Sequence, residues 1–225
     1  MTGPVASQSQ ENQHQDTRIR LIEVAERLFA ENGLASVSLR TVGANAGQRN
    51  NSAAQYHFGS KDGLIDAIVR HRSAPIDGRR MELVAELEAA GEPAGIESLV
   101  RLLVLPLAES MAKGPGRTWY LRFLAGAIDH PILRDPRTYG GQNLPGNAYM
   151  LKRLQSRLPD LPQEVFERRT RWMALTVIRV LADHERQLAV SDGPVATLGD
   201  VVADLVESMS ALLRAPHPPR HDFMG

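Results

Sequence analysis

The sequence predicts an all-α protein, a small N-terminal helical unit followed by a larger helical one, and three observations predict it. Apolar residues recur at helical spacing along most of the chain. No segment sustains the period-two alternation of a strand, and no internal repeat is visible. Beyond a Pro/Gly interruption, "HRSAPIDGRR" at 71–80, the apolar-periodic segments lengthen.

Taken in order, "TRIRLIEVAERLFAENG" (17–33) sets Leu21 or Ile22, Ala25, Leu28 and Phe29 at helical spacing, with Arg18, Arg20, Glu23, Glu26 and Arg27 between them. Asp16 or Thr17 can cap its start and Gly33 its end. A short second helix follows in "SVSLRTVGANAG": Ser38 is a natural N-cap, Leu39, Val42 and Ala46 share a face, and Gly47 can take the left-handed conformation that stops it. Asn50, Asn51 and Ser52 offer N-caps for a third helix through "AAQYHF". Gly59 and Ser60 end that helix and cap a fourth, "KDGLIDAIVRHR", whose Leu64, Ile65, Ile68 and Val69 face inward. Helix, glycine turn and helix make a helix-turn-helix, in which the second member is presented outward.

The larger unit should contain helices over 81–90, 96–112 with a kink at Pro106, 118–129, 149–157, 163–189 and 198–214. "HPILRDPRTYGGQNLPGNA" is too rich in Pro and Gly to be regular throughout. The predicted organisation is a disordered tail at 1–15, a helix-turn-helix domain at 16–72, a helical domain at 76–214 and a frayed tail at 215–225.

Composition narrows the function. The absence of cysteine removes disulfides, thiolate metal sites and cysteine nucleophiles together. The polar N-terminus carries no secretory pattern, and the most apolar run, "LVRLLVLPLA", is too short to span a bilayer. A soluble, cytoplasmic protein with no membrane partner is expected. The formal net charge is zero, from 26 basic and 26 acidic residues, so charge excess says nothing about nucleic acid. Its distribution does: residues 32–59 contain no Asp or Glu, while Arg40 and Arg49 lie inside that stretch and Lys61 just beyond. An acid-free surface suits a polyanion, because each nearby carboxylate would repel phosphate.

The motifs "A..LF.E.G" at the end of the first helix, a small residue then Gly ending the second, Tyr-His-Phe ending the third and "SK..L" opening the fourth occur in that order. In these residues the chain resembles the DNA-binding domain of the TetR/AcrR family of one-component transcriptional regulators, over about a quarter of its length. One departure stands out: the stretch from Gly47 to His57 is one residue longer than the family pattern, with Gln48-Arg49 in place of an apolar-Ser pair.

Base reading needs bonding side chains near the start of the outward helix and small residues where backbone approaches. Arg49 suits guanine, Asn50, Asn51 or Gln55 suits adenine, and Ala53 and Ala54 permit contact with thymine methyls. Arg49, Asn50, Asn51 and Ser52 divide capping from base reading in an order that the spacing leaves open. The resemblance implies that Tyr56, His57 and Lys61 meet phosphate; Ser38, Arg40, Thr41 and Gln48 complete the expected surface. Phe58 reads as a core aromatic. His57 has no catalytic or metal-ligating company, with Asp62 the nearest carboxylate in sequence and His71 the next histidine downstream. "DHE" at 183–185 lacks a second Glu-x-x-His and reads as a surface turn of helix. No enzyme activity, metal or cofactor is expected.

Helix 163–189 is apolar on more than one face, and 198–214 repeats a wide apolar stripe, so both require cover. The resemblance implies a homodimer through these two helices, with Ile178, Leu181, Val202, Leu205, Met209 and Leu212 at the interface. It also implies a small lipophilic or aromatic effector among the middle helices, with Leu102, Leu105, Met111, Trp119, Phe123, Tyr149, Trp172, Met173 and Thr176 as candidate lining. Arg122, set in "WYLRFLAGAI", either neutralises an acidic effector or reaches solvent or an acid such as Asp129 or Glu109. The expected function is a ligand-responsive repressor on a palindromic double-stranded operator; a ligand-independent activator or architectural protein is the alternative.

Overall fold

The computed structural model describes residues 5–48, 52–91, 94–112, 119–134, 144–190 and 194–217. The described elements are all helices: α1 (Val5–Asn32), α2 (Leu39–Asn45), α3 (Ala53–Phe58), α4 (Lys61–Ala89), α5 (Ile96–Ala112), α6 (Tyr120–Ala127), α7 (Pro131–Arg134), α8 (Pro145–Ser156), α9 (Gln163–Val190) and α10 (Leu198–Arg214).

Two departures from the sequence expectation stand out, besides a helix expected from 149 that starts at Pro145. Helix α1 begins at Val5, inside the stretch expected to be a disordered tail. Between Pro4 and Gly33 nothing breaks a helix, and once the packed part is formed each added turn needs no new nucleus. The 71–80 interruption is no break in the backbone either, for α4 runs continuously through Pro75. A single internal proline removes one hydrogen bond, at a cost of about 3 kcal/mol, which packing on both sides of it offsets. Pro75 does mark where the contacts change: the chain divides into one unit containing residues up to 74 together with α6 and α7, and another from 75 onward without them.

In the first unit α1 packs on α2 and α6, and α2 on α3. Leu21, Ile22, Ala25 and Phe29 meet no solvent or almost none, and neither do Leu64, Ile65, Ile68, Leu121 and Phe123. The rings of Phe29 and Phe123 lie 6.1 Å apart. Into this core the chain brings one carboxylate, Glu26, which is 1% exposed. It accepts both Nε (2.6 Å) and Nη2 (3.2 Å) of Arg72 on α4, and the backbone N–H of Trp119 (3.0 Å) at the start of α6. A buried charge is tolerable when its acceptor positions are filled by a cation and a donor in this manner.

In the second unit α5 packs on α8, α9 and α10, and α9 on α10. Pro106 lies inside α5 and donates nothing, which releases the carbonyl of Leu102; the buried Arg80 of α4 supplies the missing donor, Nε to O 2.8 Å. Arg80 also pairs with Asp77 at 2.5 Å. Asp77, 3% exposed, accepts in turn from the N–H groups of Gly146 and Asn147, both at 2.9 Å, and so caps α8, whose own N-cap Leu144 has no capping side chain. Arg79 on the next position binds Glu109, Glu82 and Glu86. Helix α10 starts with a Thr197–Asp200 capping box and ends with its carbonyls taken by Arg169 of α9. The "DHE" segment is not a surface turn: Asp183 is exposed beside Arg186 and Gln187, while His184 and Glu185 are buried, because helical spacing turns them inward. Among the described residues no group of three or more His, Cys, Asp or Glu could hold a metal, and no helix is long and apolar enough to cross a membrane.

Candidate nucleic-acid interface

Helices α2 and α3 stand at the surface of the first unit. Ser38 caps α2, its hydroxyl accepting from Thr41 N at 3.1 Å and sharing a hydrogen bond with Thr41 Oγ1 at 2.8 Å. Val42 and Ala46 are buried beneath, so Arg40 and Thr41 face out. Gly47 then turns the chain with φ +71°, a conformation in which a side chain is strained. Gln48 is half-buried and Ser52 exposed. Arg49, Asn50 and Asn51 lie outside the described residues.

On α3, Ala54 is buried against the domain and fixes which face turns outward. Gln55 is exposed, its side-chain amide donating to the Gly59 carbonyl. Tyr56 is 78% exposed, more than any other large hydrophobic residue described. No fold requirement accounts for an aromatic ring held in water. Phe58 is half-buried beneath Arg18, whose guanidinium lies 5.4 Å from its ring centre. Gly63 of α4 lets α3 close down: a Cβ there would sit 2.2 Å from the Phe58 carbonyl oxygen. Lys61 is directed inward, donating to the Leu34 carbonyl and lying 5.7 Å from the Phe29 ring centre, so it anchors the loop before α2 instead of reaching out.

His57 has the neighbour that linear sequence withheld. His14 on the upstream part of α1 brings its ring centre to 4.3 Å from that of His57, and to 5.8 Å from that of Tyr56 in an edge contact. Burial first, then the nearby His14 and Arg18, hold the His57 imidazole below its usual pKa. The signal that would have revealed His14 is the lack of any helix breaker between Pro4 and Gly33.

The other expected sites separate. Trp119, Arg122 and Phe123 belong to the first unit, where Phe123 is core and the Arg122 guanidinium stacks on Trp119 at 3.9 Å. Glu109, an expected partner of Arg122, is held by Arg79. Leu102, Leu105, Met111, Tyr149, Trp172, Met173 and Thr176 belong to the second unit. There Leu102 and Met173 are buried, Leu105, Met111, Tyr149 and Thr176 half-buried, and Trp172 is 47% exposed. Of the expected dimer residues, Leu181, Val202, Leu205 and Met209 are already buried within the chain; Ile178 and Leu212 are half-buried. The widest apolar stripe of α10 is used by the protein's own α5 and α9, and the apolar side chains left outside on α9 are Trp172, Val180, Leu188 and Val190.

Residues 21–68 match the family of bacterial regulatory proteins of the tetR type. The chain is 35% identical over 68 residues to the HTH-type transcriptional repressor KstR2 of Rhodococcus jostii (strain RHA1), a match covering 30% of this chain and about a third, 33%, of that relative. Its fold is similar to that of a probable transcriptional regulatory protein, RHA5900, with 21% identity, TM-score 0.52 and coverage of 90% of this chain and 100% of the other. It is likewise similar to NalD, the secondary repressor of the MexAB-OprM multidrug efflux pump in Pseudomonas aeruginosa, with 17% identity, TM-score 0.53 and coverage of 87% and 96%. The helix-turn-helix, whose stretch 32–59 is free of carboxylates, thus lies in a segment that matches the DNA-binding part of the tetR family of bacterial regulatory proteins and is similar to the corresponding part of a transcriptional repressor, while the chain spans about a third of that relative's length.

Proposed function

We propose that this protein is a ligand-responsive repressor that binds an inverted-repeat operator as a homodimer and is released by a small lipophilic or aromatic effector. The observation that carries the reading is the α2–α3 surface. It pairs exposed Arg40, Thr41, Gln55 and Tyr56 with a stretch, 32–59, that has no acidic residue. Phosphate contacts position such a surface and base contacts specify the site; Tyr56 and His57 take the first role, Gln55 and the residues of the turn, Arg49 among them, the second. Repression is the activity that the name of the R. jostii relative prints.

Two copies reading successive major grooves place their recognition helices roughly 34–36 Å apart. The homodimer uses the apolar side chains that α9 leaves uncovered, Trp172 and Val180 with the half-buried Leu175 and Ile178. An effector acts by binding better to a conformation with another spacing, and DNA weakens the effector to the same degree. The half-buried aromatic and thioether side chains support a lipophilic effector: Trp119 in the first unit, Met111 and Tyr149 in the second.

Selection of duplexes from a randomised pool tests the core of the reading: a single inverted repeat should emerge, and Arg49→Ala or Gln55→Ala should lose discrimination between it and random duplex. No enrichment, or unchanged specificity in both variants, would sink it. A thermal-shift screen of lipophilic acids, steroids and aromatic compounds tests the effector, since native-state binding raises the melting temperature.

A further inference from the structure

We propose that His14, on the upstream turns of α1, is a positioning residue of the DNA surface, and that its contact with His57 couples docking on phosphate to protonation of the His57 imidazole. DNA affinity should therefore rise as pH falls from about 8 to about 6. This inference rests on the reading of α2–α3 as the DNA-binding surface.

The geometry is a cluster of three rings. His14 lies against His57 with centres 4.3 Å apart and planes tilted by 47°. It meets Tyr56 edge-on at 5.8 Å, and Tyr56 meets His57 edge-on at 5.5 Å. Tyr56 and His14 are exposed and His57 half-buried, so the cluster stands at the surface with an edge toward solvent. A flexible aromatic ring on a six-residue helix has many rotamers; a second and third ring against it leave fewer.

The charges point the same way. Among the described residues the charged groups acting on His57 are His14 and Arg18, both on α1 and both cationic when protonated, and no described carboxylate is among them. Burial and these two neighbours all disfavour the imidazolium in the free protein. A phosphate arriving at the cluster brings a counter-charge, and it reverses the balance by favouring the protonated ring. If docking takes up one proton, affinity falls by up to about tenfold per pH unit across the window between the free and bound pKa values. By reciprocity the proton and the duplex favour one another to the same degree.

The experiment uses the full chain and the duplex that the protein itself enriches from a randomised pool. Fluorescence anisotropy measures affinity from pH 5.8 to 8.0 at one ionic strength, because phosphate contacts are salt-dependent. The wild type should lose about five- to tenfold in affinity from pH 6 to 7.5, the profile expected for uptake of one proton. His57→Gln should flatten the profile. His14→Gln should shift its midpoint to higher pH, since His57 then no longer shares the site with a second imidazole, while melting temperature stays near that of the wild type. Titration calorimetry in two buffers of different ionisation enthalpy should give uptake of about one proton for the wild type and less for His57→Gln. A pH-independent wild type, or a His14→Gln profile that superimposes on it, overturns the inference and leaves the DNA reading standing. A pool that yields no enriched duplex overturns the DNA reading itself and the inference with it.

Discussion

Tyr56 and Gly63 sit a few residues apart and answer to different demands. Tyr56 is held in water beside the surface rings of His14 and His57, so its removal should be nearly free for the fold. Tyr56→Ala is expected to change stability by no more than about 0.5 kcal/mol, while DNA affinity drops at least severalfold; chemical denaturation and anisotropy on the same preparation separate the two. Gly63 is the reverse case. A methyl there would meet the Phe58 carbonyl oxygen at 2.2 Å, which backbone cannot yield cheaply. Gly63→Ala should cost about 1–3 kcal/mol and lift α3 from α4, with DNA binding lost as a consequence. Sequence reading found Gly33, Gly47 and Gly59 as helix stops, but Gly63 lies inside a helix pattern, where spacing cannot show what another segment's carbonyl occupies.

At the scale of elements, helices are joined here by a few buried charged side chains that meet backbone groups left open at helix starts and at a proline. Glu26 links α1 to α4 through Arg72 and to the start of α6 through the Trp119 amide. Asp77 does the corresponding work for α8 in the second unit, and Arg80 repairs the carbonyl that Pro106 exposes. Replacing one member strands the other, so Glu26→Ala should destabilise by about 3–5 kcal/mol. Glu26→Gln, which keeps an acceptor for the Trp119 amide, should cost less. Urea denaturation checks both, and equal losses would show that charge alone matters. None of this was legible in the sequence: helical spacing marks Glu26 and Asp77 as ordinary polar positions, because the partners lie 46 and 69 residues away. The helix bounds were better read, α10 coinciding with the expected 198–214 and α9 ending within a residue.

For the whole molecule, the surface that α9 retains after the chain has folded is what a second copy can use. Trp172, Val180, Leu188 and Val190 remain exposed, whereas the stripe of Val202, Leu205 and Met209 is spent inside the subunit. Trp172→Glu with Val180→Glu should shift the protein from dimer to monomer in analytical ultracentrifugation and reduce operator affinity sharply, with little loss of helicity. A variant that stays dimeric would move the interface elsewhere. The same tertiary choice divides the expected effector lining, Trp119, Arg122 and Phe123 falling in one unit and the other seven residues in the second.

The all-α class, the helix-turn-helix and the resemblance of the N-terminal segment to the tetR family were determined by the sequence alone, because periodicity, caps and an uninterrupted local motif are short-range properties that each residue's neighbours express. Which apolar face meets which helix, which carboxylate finds a donor, and that His14 reaches His57 were decided by tertiary structure. Those outcomes depend on contacts between residues far apart in the chain, and an amphipathic stripe looks the same whether its own subunit, a second copy or a ligand will cover it.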